Sequence, residues 1–383
     1  MDIDIEKKPA DRVVLNIDKI LDEARVLGCS DVHFTTKISP IVRLHGTLRK
    51  LSSYPEMTDG AIMKLVEQMT GGRNIENIKN RIDTDFSYVT KRGYRHRVNV
   101  YHQRGDTAIA IRLLRNDIPT LEDLDMPPIL GDFAMRPRGL ILVTGPTGSG
   151  KSTTLYAALG EISKPNNNVI TVEDPVEKKI DGVNQCQINE KAGMTFGAAL
   201  RSILRQDPDI IMVGEMRDTE TAEIAIRAAI TGHLVLSTLH TNDAASTVTR
   251  LVDMGVEAYM VATSLIGIVA QRLTKVLCPE CKKPRMSTEE ENELMGLDHS
   301  VQVYDPCGCP KCNNTGYKGR TAIHEILLAT PSMQALITRG AKADEIQELA
   351  KKEGCHLLRD NVSELVQQGK TSMDELIRVT YAV

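Results

Sequence analysis

The sequence predicts an α/β protein organised on a parallel sheet with helices on both faces. Short apolar runs at Leu140–Thr144, Val169–Val172, Ile210–Val213 and Leu234–Thr238 are nearly continuous, the pattern of strands buried on both faces. Helical periodicity fills the stretches between them. A glycine-rich turn, Gly145–Ser152, joins the first run to a helix marked by Leu155, Ala158, Leu159 and Ile162.

Residues 1–12 read as a flexible tail. Val14, Ile17, Leu21 and Ala24 then recur at helical spacing, and Gly28 is a natural stop. Val32 and Phe34 alternate, Ile41–Leu44 is strand-like, and a longer β stretch runs from Phe86 to Leu114 with turns near Gly93 and Gly105. Residues 13–115 are therefore expected to form a small α/β domain with an antiparallel sheet. Pro119, Pro127, Pro128 and Pro137 mark 116–138 as an interdomain linker. Residues 139–383 form the larger domain, with a cysteine-bearing insert at 277–318 and C-terminal amphipathic helices at 322–383.

With 383 residues the chain is long enough for two or three domains of ~100–200 residues. Net charge is −4 and aromatic residues make up 3%, with no tryptophan. A nucleic-acid translocase would show a basic surplus and stacking faces, so direct nucleic-acid binding is not expected. No run of about 18 apolar residues is present, which predicts no transmembrane segment. Met1–Arg12 is mixed in charge and unlike a signal peptide, so a cytoplasmic protein is expected.

Gly145, Pro146, Thr147, Gly148, Ser149, Gly150, Lys151 and Ser152 fit G-x-x-x-x-G-K-[ST]. Glycines let the backbone curl so that successive N–H groups converge on phosphate oxygens, and the following helix adds positive potential at its N-terminus. Lys151 is expected to reach the β/γ-phosphates of ATP and Ser152, next to Thr153, to bind Mg²⁺. Phosphoryl transfer also needs a metal partner and a group that orients water. Two strands end in carboxylates, Glu173-Asp174-Pro175 and Gly214-Glu215. Glu173 is the candidate for polarising water and Glu215 for the Mg²⁺ shell, with Lys151 completing the catalytic set. His233 and His240 bracket the strand Leu234–Thr238 and are candidates to sense the γ-phosphate. A small-molecule kinase would carry its phosphate loop near the N-terminus, whereas this loop begins at Gly145.

Cys278-Pro-Glu-Cys281 and Cys309-Pro-Lys-Cys312 are two C-x-x-C pairs, suited to a closed tetrahedral Zn²⁺ site of structural character. Cys307 precedes the second pair, but Cys309 completes the spacing. Cys29, Cys186 and Cys355 read as buried core thiols.

In order, Gly145–Ser152, Ile170–Glu177, Leu204–Asp218 and Thr231–Asn242 resemble the Walker A, Asp, atypical Walker B and His boxes of the type II secretion and type IV pilus assembly ATPases. That resemblance implies a RecA-like ATPase core with a PAS-like N-terminal domain. It implies a homohexameric motor, docked on an integral-membrane platform protein at the inner face of the cell membrane. It also implies arginines around the γ-phosphate, and the matching positions are Arg97, Arg112, Arg201, Arg217 and Arg320. The cysteine cluster resembles the assembly and secretion branch. Arg97-Val98-Asn99 and the short N-terminus resemble pilus-retraction ATPases, the alternative within the family. The extra N-terminal domain of larger assembly ATPases is expected to be missing or reduced to residues 1–12, which is similar to the short forms of competence and Gram-positive pilus systems.

Overall fold

The computed structural model describes residues 15–44, 47–72, 75–114, 118–163 and 166–381; the expected tail at 1–12 lies outside them. The chain folds into two compact units, Met1–Asp117 and Ile118–Val383.

The first unit runs α1 (Ile17–Val26), β1 (Cys29–Phe34), β2 (Ile41–Leu44), β3 (Thr47–Lys50), α2 (Asp59–Thr70), α3 (Ile75–Lys79), β4 (Thr84–Val89), β5 (Arg95–Gln103) and β6 (Asp106–Leu113). Asn16 caps α1 by accepting the N–H of Lys19, and Ile17, Ile20, Leu21 and Ala24 form its buried stripe. The strands make one sheet in the order β3-β2-β1-β6-β5-β4, antiparallel at every pairing. Ile17, Phe34, Ile62, Leu65, Val100 and Ile109 are among the side chains of its single core.

The second unit runs α4 (Ile129–Ala134), β7 (Gly139–Thr144), α5 (Lys151–Ile162), β8 (Val169–Glu173), β9 (Val183–Gln187), α6 (Phe196–Ile203), β10 (Ile210–Val213), α7 (Thr219–Ile230) and β11 (Leu234–Leu239). It continues with α8 (Ala244–Asp253), α9 (Ala258–Ser264), β12 (Leu265–Leu277), β13 (Lys283–Met286), α10 (Glu289–Met295), β14 (Gln302–Asp305) and β15 (Tyr317–Leu328). Four helices close the chain: α11 (Pro331–Thr338), α12 (Ala343–Lys352), α13 (Leu358–Gln367) and α14 (Met373–Tyr381). Seven strands share one sheet, β15-β12-β7-β11-β10-β8-β9, parallel except where β15 runs against β12. Every residue of β7 is buried. Leu140 and Leu142 enter one core, and Ile141 and Val143 enter the other, which is why its sequence shows no alternation.

Three sequence expectations differ from this architecture. The segment 322–383 begins on a strand, because Ala322–Leu328 extends β15 along β12; only the part after Pro331 is helical. Short apolar runs fit a buried strand or a buried helix equally well, and the pairing partner decides. The stretch 118–138 is no free linker over its described residues. Leu121, Met126, Leu130 and Phe133 pack into a core of the second unit, and α4 turns within it. Cys29 is buried, but Cys186 and Cys355 are only half-buried, packed at the margin of the larger core.

The last helix is strapped to β12 by a buried carboxylate. The Glu375 side chain is 3% exposed and pairs with Arg378 Nη2 at 2.7 Å. Its Oε2 accepts from the Lys275 N–H at 3.0 Å and the Thr274 hydroxyl at 3.2 Å. Arg378 in turn donates to the Leu273 carbonyl at 2.6 Å. Burial pushes the Glu375 carboxyl up, but the Arg378 hydrogen bond, the Lys275 N–H and both cations outweigh it and hold it below its ordinary value. A depressed carboxyl stabilises the fold above its unfolded pKa of about 4.3, and that contribution fades as pH falls through the lower folded value. Glu375→Gln is therefore expected to cost about 1–3 kcal/mol at neutral pH. It should also flatten the fall of the thermal midpoint below about pH 4.3, measured by calorimetry on both proteins across that range.

Candidate functional site

Parallel pairing brings four strand ends to the same side of the sheet, within about two residues of one another. Val213 of β10 pairs with Val172 of β8 and with Ser237 of β11, while Leu239 of β11 pairs with Thr144 of β7. The residues that follow therefore gather at one edge of the sheet, where ligands of open α/β sheets bind. They line a cleft of about 450 Å³.

The floor of the cleft is the turn between β7 and α5. Thr147, Gly148, Ser149, Gly150, Lys151, Ser152 and Thr153 face it; Gly145 and Pro146 lie beneath and do not line it. Gly145 has φ +142°, and a Cβ there would stand 2.3 Å from the Gln271 carbonyl oxygen, so a side chain fits neither the turn nor the space. Lys151 Nζ donates to the carbonyls of Gly145 at 2.8 Å and Pro146 at 3.2 Å. Burial pushes the Lys151 ammonium down, with Glu215 acting in the opposite sense. Lys151 and the N-terminus of α5 give the floor the charge and N–H donors that fit a phosphate chain.

Two carboxylates face this floor in different surroundings. Glu173 is 4% exposed at the tip of β8. Its Oε2 accepts from the Tyr156 hydroxyl. Its Oε1 accepts from the Thr171 hydroxyl at 2.6 Å and from Gln185 Nε2 at 3.1 Å. Contact with this carboxylate in a buried site pushes the Tyr156 phenol above its ordinary value, burial being the largest cause. Glu215 follows β10 and meets basic side chains: Arg217 Nη2 is 2.5 Å from Oε1 and the His240 imidazole Nε2 is 3.5 Å from Oε2. The Thr238 hydroxyl donates to the Gly214 carbonyl at 2.7 Å and fixes the turn that carries Glu215. Arg320, near the start of β15, completes the wall.

Other candidates lie elsewhere. His233 sits just before β11 begins, where Leu234 pairs with Gly139 at the start of β7, and its Nδ1 lies 3.0 Å from the Ala228 carbonyl. The six residues of the strand lie between it and His240, which puts the two about 23 Å apart along the chain at ~3.3 Å per step. The expectation that both histidines reach the same phosphate is corrected accordingly, since the two ends of a strand open on opposite edges of a sheet. Arg201 of α6 is ion-paired with Glu220 of α7 and does not line the cleft. Arg97 and Arg112 belong to the first unit, where they stand opposite each other on β5 and β6; Arg112 pairs with Asp31 at 3.1 Å. Sequence reasoning missed Tyr156, Thr171, Gln185 and Gln271. Gln271 and Thr171 left a signal, each a polar residue inside an otherwise largely apolar run, Leu265–Leu273 and Val169–Val172.

Cys278, Cys281, Cys309 and Cys312 bring their Sγ atoms within 4.8 Å of one another. The separations Cys278–Cys309, Cys281–Cys312 and Cys309–Cys312 are 3.9, 3.8 and 3.7 Å. Four sulfurs at ~2.3 Å around a tetrahedral zinc stand about 3.8 Å apart, so the cluster fits that ion. Burial raises the Cys312 thiol, but the N–H groups of Cys309 and Gly316, at 3.2 and 3.3 Å, outweigh it and bring it down to about 6. Cys307 is exposed and outside the cluster.

Residues 6–378 match the family described as type II/IV secretion system protein. The type II secretion system ATPase E of Vibrio cholerae is 41% identical over 382 residues, covering 96% of this chain and 75% of that one. The type IV pilus assembly ATPase PilB of Thermus thermophilus is 40% identical over 388 residues, covering 95% of this chain and 42% of that one. Among solved structures, the pilus retraction motor PilT with bound ADP superposes with a TM-score of 0.76 at 32% identity, covering 95% of this chain and 97% of that one. The phosphate-loop cleft thus sits in a chain matched along nearly its whole length, and this protein is an ATPase belonging to the type II/IV secretion system protein family.

Proposed function

We propose that this ATPase is the motor of a homohexameric ring that drives assembly of a type IV pilus or a type II secretion pseudopilus. It acts from the cytoplasmic face of the membrane through an integral-membrane platform protein. The observation that carries the catalytic part is the convergence of Lys151, Glu173, Glu215, His240 and Arg320 on one cleft at the sheet edge. Identities near 40% to secretion and assembly ATPases, and the four-cysteine cluster, support assembly over retraction.

ATP is the substrate. Its β- and γ-phosphates rest on the N–H groups of the loop and on Lys151, whose ammonium answers the charge that builds on the transferring group. Ser152 and Glu215 would hold Mg²⁺, which neutralises phosphate charge when bound. Glu173 has about four acceptor positions on its two oxygens and gives three to Tyr156, Thr171 and Gln185, which leaves room for one water in a fixed direction. That water's oxygen bonds to the γ-phosphorus as the bond to the bridging oxygen breaks, its proton passes to Glu173 and from there to solvent, and ADP and phosphate are released. Arg217 and His240 steady Glu215, while Arg320 faces the leaving phosphate. Arg97, Arg112 and Arg201 are candidates for a later or neighbouring phosphate contact, and His233 has no direct role.

Lys151→Ala is expected to lower phosphate release by roughly 10²–10³-fold. Glu173→Gln should keep ATP binding and lose about 10²–10⁴ in turnover. A Glu173→Gln protein with parental turnover would falsify the assignment.

The cysteine cluster is proposed to hold one structural zinc. Elemental analysis of the purified protein should find one zinc per chain, and Cys278→Ser should lose it and melt earlier. A metal-free preparation of unchanged stability refutes the site.

Turnover should rise when the cytoplasmic part of the platform protein is added and stay level with DNA. Stimulation by DNA alone favours a translocase.

A further inference from the structure

A loop that holds phosphate has to keep its N–H groups aimed at one point, and a stretch containing Gly145, Gly148 and Gly150 loses much conformational freedom in doing so. Lys151 bonds the Gly145 and Pro146 carbonyls, and the Ser149 N–H reaches the Pro146 carbonyl at 3.2 Å. Those contacts are internal to the loop, and a phosphate competes for the same ammonium.

One side chain from another element grips the loop. Gln271 lies on β12, beside β7, and is 2% exposed. Its Nε2 donates to the Ser149 carbonyl at 2.8 Å, and its Oε1 accepts from the Thr154 hydroxyl, one turn into α5, at 2.8 Å. The amide thus ties the last bend of the loop to the first turn of the helix. The fit extends to the glycines: a Cβ on Gly145 would meet the Gln271 carbonyl at 2.3 Å, and one on Gly150 would meet its Nε2 at 2.8 Å. Gln271 is not among the cleft-lining residues, so it touches no nucleotide placed there.

We infer that Gln271 is a positioning residue: its amide, bridging Ser149 and Thr154, sets the backbone of the phosphate loop in the geometry that receives the triphosphate. A glutamine is required because one partner is an acceptor and the other a donor. Glutamate keeps the size and the bond from Thr154 but sets a carboxylate oxygen against the Ser149 carbonyl. The inference rests on Gly145–Ser152 being the triphosphate cradle.

The test uses the full-length protein with fluorescent mant-ADP for affinity and ATP hydrolysis for KM and kcat. Gln271→Glu should weaken mant-ADP binding and raise KM by roughly ten-fold, the effect of one buried group left without its partner. Its thermal midpoint without nucleotide should also fall, because a carboxylate is buried against a carbonyl, so affinity is measured well below that midpoint, where the protein is folded. Thr154→Val should shift affinity in the same direction, and Thr154→Ser, which restores the hydroxyl, should recover it. Parental Kd and KM in both Gln271→Glu and Thr154→Val overturn the inference. So does a loss of affinity that disappears when binding is measured at a temperature where the variant is fully folded. If Gln271→Glu does not fold, the Thr154 pair decides, and equal affinities reject the inference. Lys151→Ala separates the two levels. Parental mant-ADP binding there brings down the cradle reading itself, whereas weak binding there beside normal Gln271→Glu rejects only the role of Gln271.

Discussion

Pairing of Val213 with Val172 and Ser237, and of Leu239 with Thr144, holds the carboxyl ends of β8, β10, β11 and β7 within about two residues of one another on the same side of the sheet. Residues from distant parts of the sequence then emerge side by side without any contact between their own side chains being needed to gather them. Glu173, Glu215, His240 and the loop after Thr144 owe their proximity to main-chain hydrogen bonds deep in the sheet. Those bonds are protected by cores on both faces, since alternate residues of β7 enter opposite layers.

The two acidic residues at that edge illustrate how surroundings divide labour. Glu173 is held by neutral donors, Tyr156, Thr171 and Gln185, which orient it without cancelling its charge. Glu215 is held by the Arg217 guanidinium, which compensates its charge, with the His240 imidazole beside it. A carboxylate that guides a water benefits from the first environment, and one that shares a metal shell tolerates the second.

Much of this was legible in the sequence. The loop Gly145–Ser152 and the four apolar runs have local signatures, because a backbone curl needs glycine and a doubly covered strand needs continuous apolar residues. Glu173 and Glu215 followed from standing directly after such runs. What could not be read depends on partners far away in the chain. Tyr156 looks like any residue of a helix until β8 is placed beside it. Ile323 and Leu327 suit a strand only once β12 is available to pair. His233 was grouped with His240 because both flank one short run, yet a run that is a strand has ends that face apart. The cysteine spacing was informative since metal ligands come in short pairs, although the joining of the two pairs depends on Cys278 N–H meeting the Gly316 carbonyl at 2.9 Å.

β12 is thirteen residues long and carries Gln271 within the sheet and Cys278 just beyond its far end. Seven residues of extended chain span about 23 Å at ~3.3 Å each. The bend of the phosphate loop and the sulfur cluster are therefore mounted on one splint, with β15 alongside for most of its length and α14 fastened across it. An extended strand braced in this way has little slack along its axis. Any displacement of that strand along its length would carry the Gln271 amide and the sulfur cluster by the same amount.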